Sequence, residues 1–140
     1  MPVNDGLTKV SYRMAVAVTA GQVLKASAAV DGVPGATLAT SATAAPLIGV
    51  AFESYAAGQM GAVVTRGVFS SCIAGATLTP GTDNYLTVDG SSRVVAATAG
   101  ASDKYLIGRL YKGFRDDATA HVNEAVFVDI APGILPAANA

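Results

Sequence analysis

Apolar and polar positions along the chain alternate in short runs, and the clearest of them is Leu47 to Phe69. Leu47-Ile48-Gly49-Val50-Ala51-Phe52 is an apolar run, Ala56-Ala57-Gly58-Gln59-Met60-Gly61 is a small-residue turn, and Ala62-Val63-Val64-Thr65 resumes the apolar pattern before Gly67 and Val68-Phe69. Two β-rich runs joined by a glycine-containing loop predict a hairpin. Tyr12 to Val18 alternates as a first strand, Thr19-Ala20-Gly21 turns it, and Gln22 to Ala26 continues as the next. Tyr85-Leu86-Thr87-Val88 and Arg93-Val94-Val95-Ala96, joined across Asp89-Gly90-Ser91-Ser92, form the best-marked hairpin of the chain. Ala29 to Ala45 is rich in Ala, Thr and Ser, with Asp31-Gly32 and Pro34-Gly35 as turn signals; Ala42 to Ala45 allows a helical turn that Pro46 would end. No segment carries a sustained helical stripe with caps at both ends, so the pattern predicts an all-β fold of roughly eight to ten short strands.

The pattern repeats. Leu47, Gly49, Phe52, Tyr55 and Val63 each have a like residue 59 positions on, at Leu106, Gly108, Tyr111, Phe114 and Val122. Thr19-Ala20-Gly21 matches Thr79-Pro80-Gly81 at 60, and Val30-Asp31-Gly32 matches Val88-Asp89-Gly90 at 58. Two such halves, about 14–72 and 73–131, predict one small β-barrel or sandwich in a single domain, residues 14–131. Residues 1–13 read as an extended N-terminal arm and 132–140 as a C-terminal tail. A glycine inside each Ile-Gly strand marks a bulge or a close backbone approach.

Composition narrows the function. With 140 residues the chain can bury a core unaided. Only 14% of residues are charged, against roughly 25% in a typical soluble domain, which hints at burial in an assembly. A net charge of -1 without a basic run argues against nucleic-acid binding. No window approaches the ~18 consecutive apolar residues of a membrane helix, and the first residues lack a secretory pattern; a soluble protein made in a cytoplasm is expected.

Candidate chemistry is sparse. One cysteine, Cys72, excludes an internal disulfide, and the lone histidine, His121, on a predicted strand beside Asn123 and Glu124, lacks the further ligands a metal site needs. Asp116-Asp117 is a loop pair with too few oxygens for Ca²⁺ unaided. No G-x-S-x-G elbow and no phosphate-binding glycine motif occur, and nine aromatics without Trp make a weak stacking platform. No catalytic constellation, cofactor or metal is therefore expected.

The order Gly21-Gln22-Val23-Leu24, Pro46 to Glu53, Gly58, Arg66-Gly67-Val68-Phe69, Leu78-Thr79-Pro80-Gly81, Val88-Asp89-Gly90 and Leu106-Ile107-Gly108-Arg109 resembles the capsid cement (head decoration) proteins of tailed bacteriophages. The similarity runs over about residues 15–130; the Asp31 to Ala45 segment, the arm and the proline-containing tail depart from it. The resemblance implies a small β-barrel-like protein, often a homotrimer, on the outer surface of the virion head. Its partners would be the major capsid protein, at junctions between subunits, and further copies of itself. The contacts expected on this reading are Val3, Leu7, Lys9, Val10, Tyr12 and Arg13 in the arm and Ile134, Leu135 and Pro136 in the tail. Competing readings are another virion β-module of a tail or fibre base, a carbohydrate- or peptide-binding module and, last, an enzyme.

Overall fold

The computed structural model describes residues 6–97, 105–113 and 119–134. It is all-β: nine strands in one sheet and no helix among the described residues. The strands are β1 (Thr8–Met14), β2 (Val23–Val30), β3 (Val33–Leu38), β4 (Leu47–Ala51), β5 (Met60–Ile73), β6 (Tyr85–Val88), β7 (Val94–Ala96), β8 (Tyr105–Gly113) and β9 (Ala125–Ile134). They lie in the order β1-β3-β2-β4-β5-β9-β8-β6-β7, with a further β1–β5 pairing.

That order is a repeat. The first half pairs Leu24 with both Leu38 and Gly49, and the second pairs Leu86 with both Ala96 and Gly108. Val50↔Val64 is answered by Arg109↔Asp129, and the parallel contact Met14↔Ala36 by Ala74↔Val94. Each half thus closes its own strand circuit instead of contributing half of a shared one. The first circuit is β1-β3-β2-β4-β5. The second runs from the end of β5 through β9, β8, β6 and β7 back to Ala74.

The 14 residues of β5 belong to both circuits. Up to Arg66 they pair with β1 and β4; from Gly67 onward they pair with β9. The change of partner falls at Gly67, whose φ of 109° is closed to most side chains. The halves therefore meet at 66/67, not at the expected 72/73.

Three expectations change. The arm is, from Thr8 on, a strand: Thr8 to Arg13 pair with β5, while residues 1–5 lie outside the described residues. Thr8, Lys9, Val10 and Ser11 are all exposed, so the first part of β1 is held by backbone pairing and carries little period-2 signal. Val33 to Leu38 is a strand where a loop was expected: Pro34 falls in a register shift of the β2–β3 pair, the place in a sheet where proline is tolerated. Residues 42–44 form a turn, not a helix, with the Ser41 hydroxyl accepting from the Thr43 and Ala44 amides. The Asp89 hairpin forms as expected; its carboxylate accepts from the Ser91 and Arg93 amides and the Arg93 side chain.

Inside the first circuit lie Met14, Val18, Leu24, Ala36, Ala51 and Val63. Their counterparts in the second, Ala74, Leu78, Leu86, Val94, Leu110 and Val128, belong to or pack on a larger cluster. Met14 facing Ala36 becomes Ala74 facing Val94, a large–small exchange that keeps the space filled. The larger cluster also takes in Val23, Leu47, Val50 and Val64 of the first half together with Phe69 and Val88 of the second, and so forms the junction between them. Ser92, buried at φ 63°, pins this junction: its hydroxyl donates to the Ala39 carbonyl at 2.7 Å and its own carbonyl accepts from the Val23 amide at 2.9 Å.

A Cβ on Gly49 would fall on the carbonyl oxygen of Val64, and one on Gly108 on that of Asp129, the corresponding residue. Gly49→Ala and Gly108→Ala are each expected to destabilise the fold by about 2–3 kcal/mol, read as a lower urea midpoint. Ser92→Ala should cost about 1–2 kcal/mol by the same measurement, since it strands the buried Ala39 carbonyl.

Candidate interaction surface

β1 divides the expected arm contacts by their side chains. Leu7, just before it, packs against the larger core cluster, and Tyr12 packs against the first. Arg13 donates from Nη1 to the Gly58 carbonyl at 2.9 Å, which ties β1 to the β4–β5 turn. All three make contacts within the chain. Lys9 and Val10 are both exposed: the Lys9 ammonium stands 4.1 Å from the Phe52 ring centroid, and Val10 is 43% exposed. Val3 lies outside the described residues.

At the far end of β9, Ile134 is 70% exposed and pairs with Tyr105 of β8. With Pro46, Leu47, Tyr105, Pro132 and Gly133 it lines an apolar groove of about 360 Å³. The structure thus gives the one described tail candidate a recess built from β4, β8 and β9. Leu135 and Pro136 lie outside the described residues.

The sequence reading missed a second surface, on β6, β8 and β9. Arg109 lies 5.0 Å from the Tyr85 ring centroid and donates to the Tyr85 hydroxyl at 3.1 Å. Lys112 lies 5.0 Å from the Phe127 ring, which meets the Tyr111 ring at 6.5 Å. Tyr111 itself is 57% exposed. Such exposed cation–π pairs contribute about 0.5–1 kcal/mol each and hold flat rings upright on the strand surface. The signal available was Tyr111's match to Phe52 in the repeat, but matching aromatics do not reveal which is covered.

The remaining candidates carry no assembled chemistry. His121 stands in the turn before β9, not on a strand; its amide donates to the Glu124 carboxylate at 2.8 Å. Asp116 and Asp117 lie outside the described residues. Among the described residues no group of three or more His, Cys, Asp and Glu is placed to hold a metal ion. Cys72 is buried and occupies Tyr12's place in the second half; burial pushes its thiol far above the ordinary range.

No protein-family model and no curated protein matches the chain by sequence. Among solved structures, the N base of the head fibre protein gp8.5 of bacteriophage phi29 matches with a TM-score of 0.64 at 17% identity, covering 93% of this chain and 98% of that one. At that identity the likeness is one of fold.

A neutral buried thiol is a poor nucleophile, so Cys72 is expected not to react with a thiol-exchange reagent in the native protein, even when the pH is raised to the ordinary thiol pKa, and to react at once in denaturant. Absorbance of the released thiolate checks both arms.

Proposed function

We propose that this chain is a structural protein of a bacteriophage virion, carried on the outer surface of the assembled head at junctions between major capsid subunits. The observation that supports it most is the fold shared over nearly the whole chain with the base of a phage head fibre, together with the cement-like order of its motifs. The role is mechanical. A shell filled with DNA is pushed outward and fails where subunits meet. A protein that binds the assembled lattice and not its free parts shifts that equilibrium by an amount set by its affinity and concentration. Several equivalent contacts in one oligomer raise the effective affinity further.

On this reading the major capsid protein is the partner, and the groove around Ile134 is its contact. The groove supplies an apolar anchor site of the kind that dominates protein interfaces. A second reading, the base of a projecting fibre, is favoured by the neighbour's being the N base of one. Cement spreads over the shell and strengthens it. A fibre base binds and leaves the shell's resistance to heat unchanged.

Purified protein mixed with heads that lack it is expected to decorate them and raise the temperature at which they release DNA. Ile134→Asp should lower occupancy roughly tenfold while leaving the melting of the free protein unchanged. Absence of binding sinks the virion reading; binding without added heat resistance assigns the fibre-base role.

A further inference from the structure

The second half leaves open the face that the first half buries. At the junction inside the chain, three sets of contacts join the halves. A row of side chains on β2, β4 and β5, Val23, Val50 and Val64, is fully buried there. Phe52, after β4, packs its ring 5.9 Å from that of Phe69 on the second half's stretch of β5. The Thr19–Gln22 turn sits against the same stretch, so that a Cβ on Gly21 would run into the Ser71 carbonyl and the Ile73 side chain.

Strand register gives the counterparts of the strand residues, and the sequence repeat carries it to Phe52, Gly21 and Ser71. Val23, Val50 and Val64 correspond to Tyr85, Arg109 and Asp129, of which the last two are exposed. Phe52 corresponds to Tyr111, 57% exposed, and Phe69 to Val10, 43% exposed. Gly21 corresponds to Gly81, which has open space around it, and Ser71 to the exposed Ser11. Among the described residues, the two surfaces of the internal junction therefore both recur unoccupied, one on the second half and the other on β1.

We propose that a second copy of this chain occupies that face. The β1 surface of one copy, centred on Val10, docks on the Tyr85–Arg109–Tyr111 surface of the next, in the relation that joins the two halves within a chain. The interface is heterologous, because the two surfaces differ. Its residue types suit association after folding: an internal junction that never opens is lined with valine, whereas tyrosine and arginine are enriched where separately folded partners meet. The proposal does not depend on the virion reading and needs no capsid for its test.

Light scattering on the purified full-length chain across a concentration series is expected to show assemblies larger than one chain. Val10→Glu and Tyr111→Glu each place a charge in one of the two surfaces, and each should weaken association roughly tenfold or more with melting temperature unchanged. Each variant keeps the surface that the other has lost. Mixing them should therefore restore one interface and yield a two-chain species that neither forms alone. If Val10→Glu lowers the melting temperature, Val10→Ser replaces it. An unmodified chain that stays single at every concentration overturns the proposal, as does association that survives both substitutions or a mixture without the two-chain species.

Discussion

Everything in this fold depends on β5 serving two strand circuits in turn. A strand must find partners for its backbone groups, and β5 finds them in β1 and β4 as far as Arg66 and then in β9 from Gly67. Because the peptide chain crosses the junction as a continuous strand, the two circuits are tethered to one another at Gly67 while each keeps its own strand pairing. The apolar side chains gathered there, from Val23, Leu47, Val50 and Val64 on one side and Phe69 and Val88 on the other, are buried as a consequence of that crossing. Ser92 then satisfies the amide of Val23 and the carbonyl of Ala39, which the junction would otherwise leave buried and unpaired.

With the crossing fixed, each half is free to fill its interior in its own way. The interior positions hold in register, yet residue sizes are redistributed: Met14 and Ala36 against Ala74 and Val94, Ala51 against Leu110, Tyr12 against Cys72. The positions that cannot vary are those where backbone meets backbone. Gly49 and Gly108 sit across from the carbonyls of Val64 and Asp129, and no rearrangement of side chains makes room for a Cβ there. Glycine recurs at these two points because the constraint is set by strand spacing, which both halves share.

This separation explains what was legible in the sequence. The all-β class and the two related halves followed from turn spacing and from the Ile-Gly strands, whose surroundings are the same twice. The constant offset of 59 held as far as Phe52 and Tyr111 and failed after them. Nine positions separate Ala51 from Met60, and fifteen separate the corresponding Leu110 from Ala125. The true counterpart of Val63 is the buried Val128, not Val122, which lies exposed in a turn. A loop-length difference carries no hydrophobic signal, so like residues at a constant offset gave a plausible wrong register. The start of β1 escaped for another reason: held by its backbone, with exposed Thr8, Lys9, Val10 and Ser11, it has no buried and exposed alternation to read. Of the candidate contacts, Lys9, Val10 and Ile134 are exposed, whereas Leu7, Tyr12 and Arg13 make contacts within the chain. Which side of a half-buried strand is covered depends on its neighbours in space, and sequence pattern alone does not supply them.

The difference between the two halves at three matched positions then has one physical cause. Val23, Val50 and Val64 lie where the other half removes water; a charged residue there would be buried without a partner, at a cost of several kcal/mol. Tyr85, Arg109 and Asp129 lie where water or a separately folded partner is present, and there the hydroxyl and guanidinium satisfy one another at 3.1 Å while their apolar surfaces stack. A valine row in their place would leave a permanent apolar patch on the free chain, an aggregation hazard in a protein with few charges to offset it. The outer half of a repeat must close its exposed face with polar groups, as the end units of repeat proteins do. Here Tyr85 and Arg109 do so, two residue types enriched where separately folded partners meet, so one set of side chains meets both the need for a polar outer face and the chemistry of an interface.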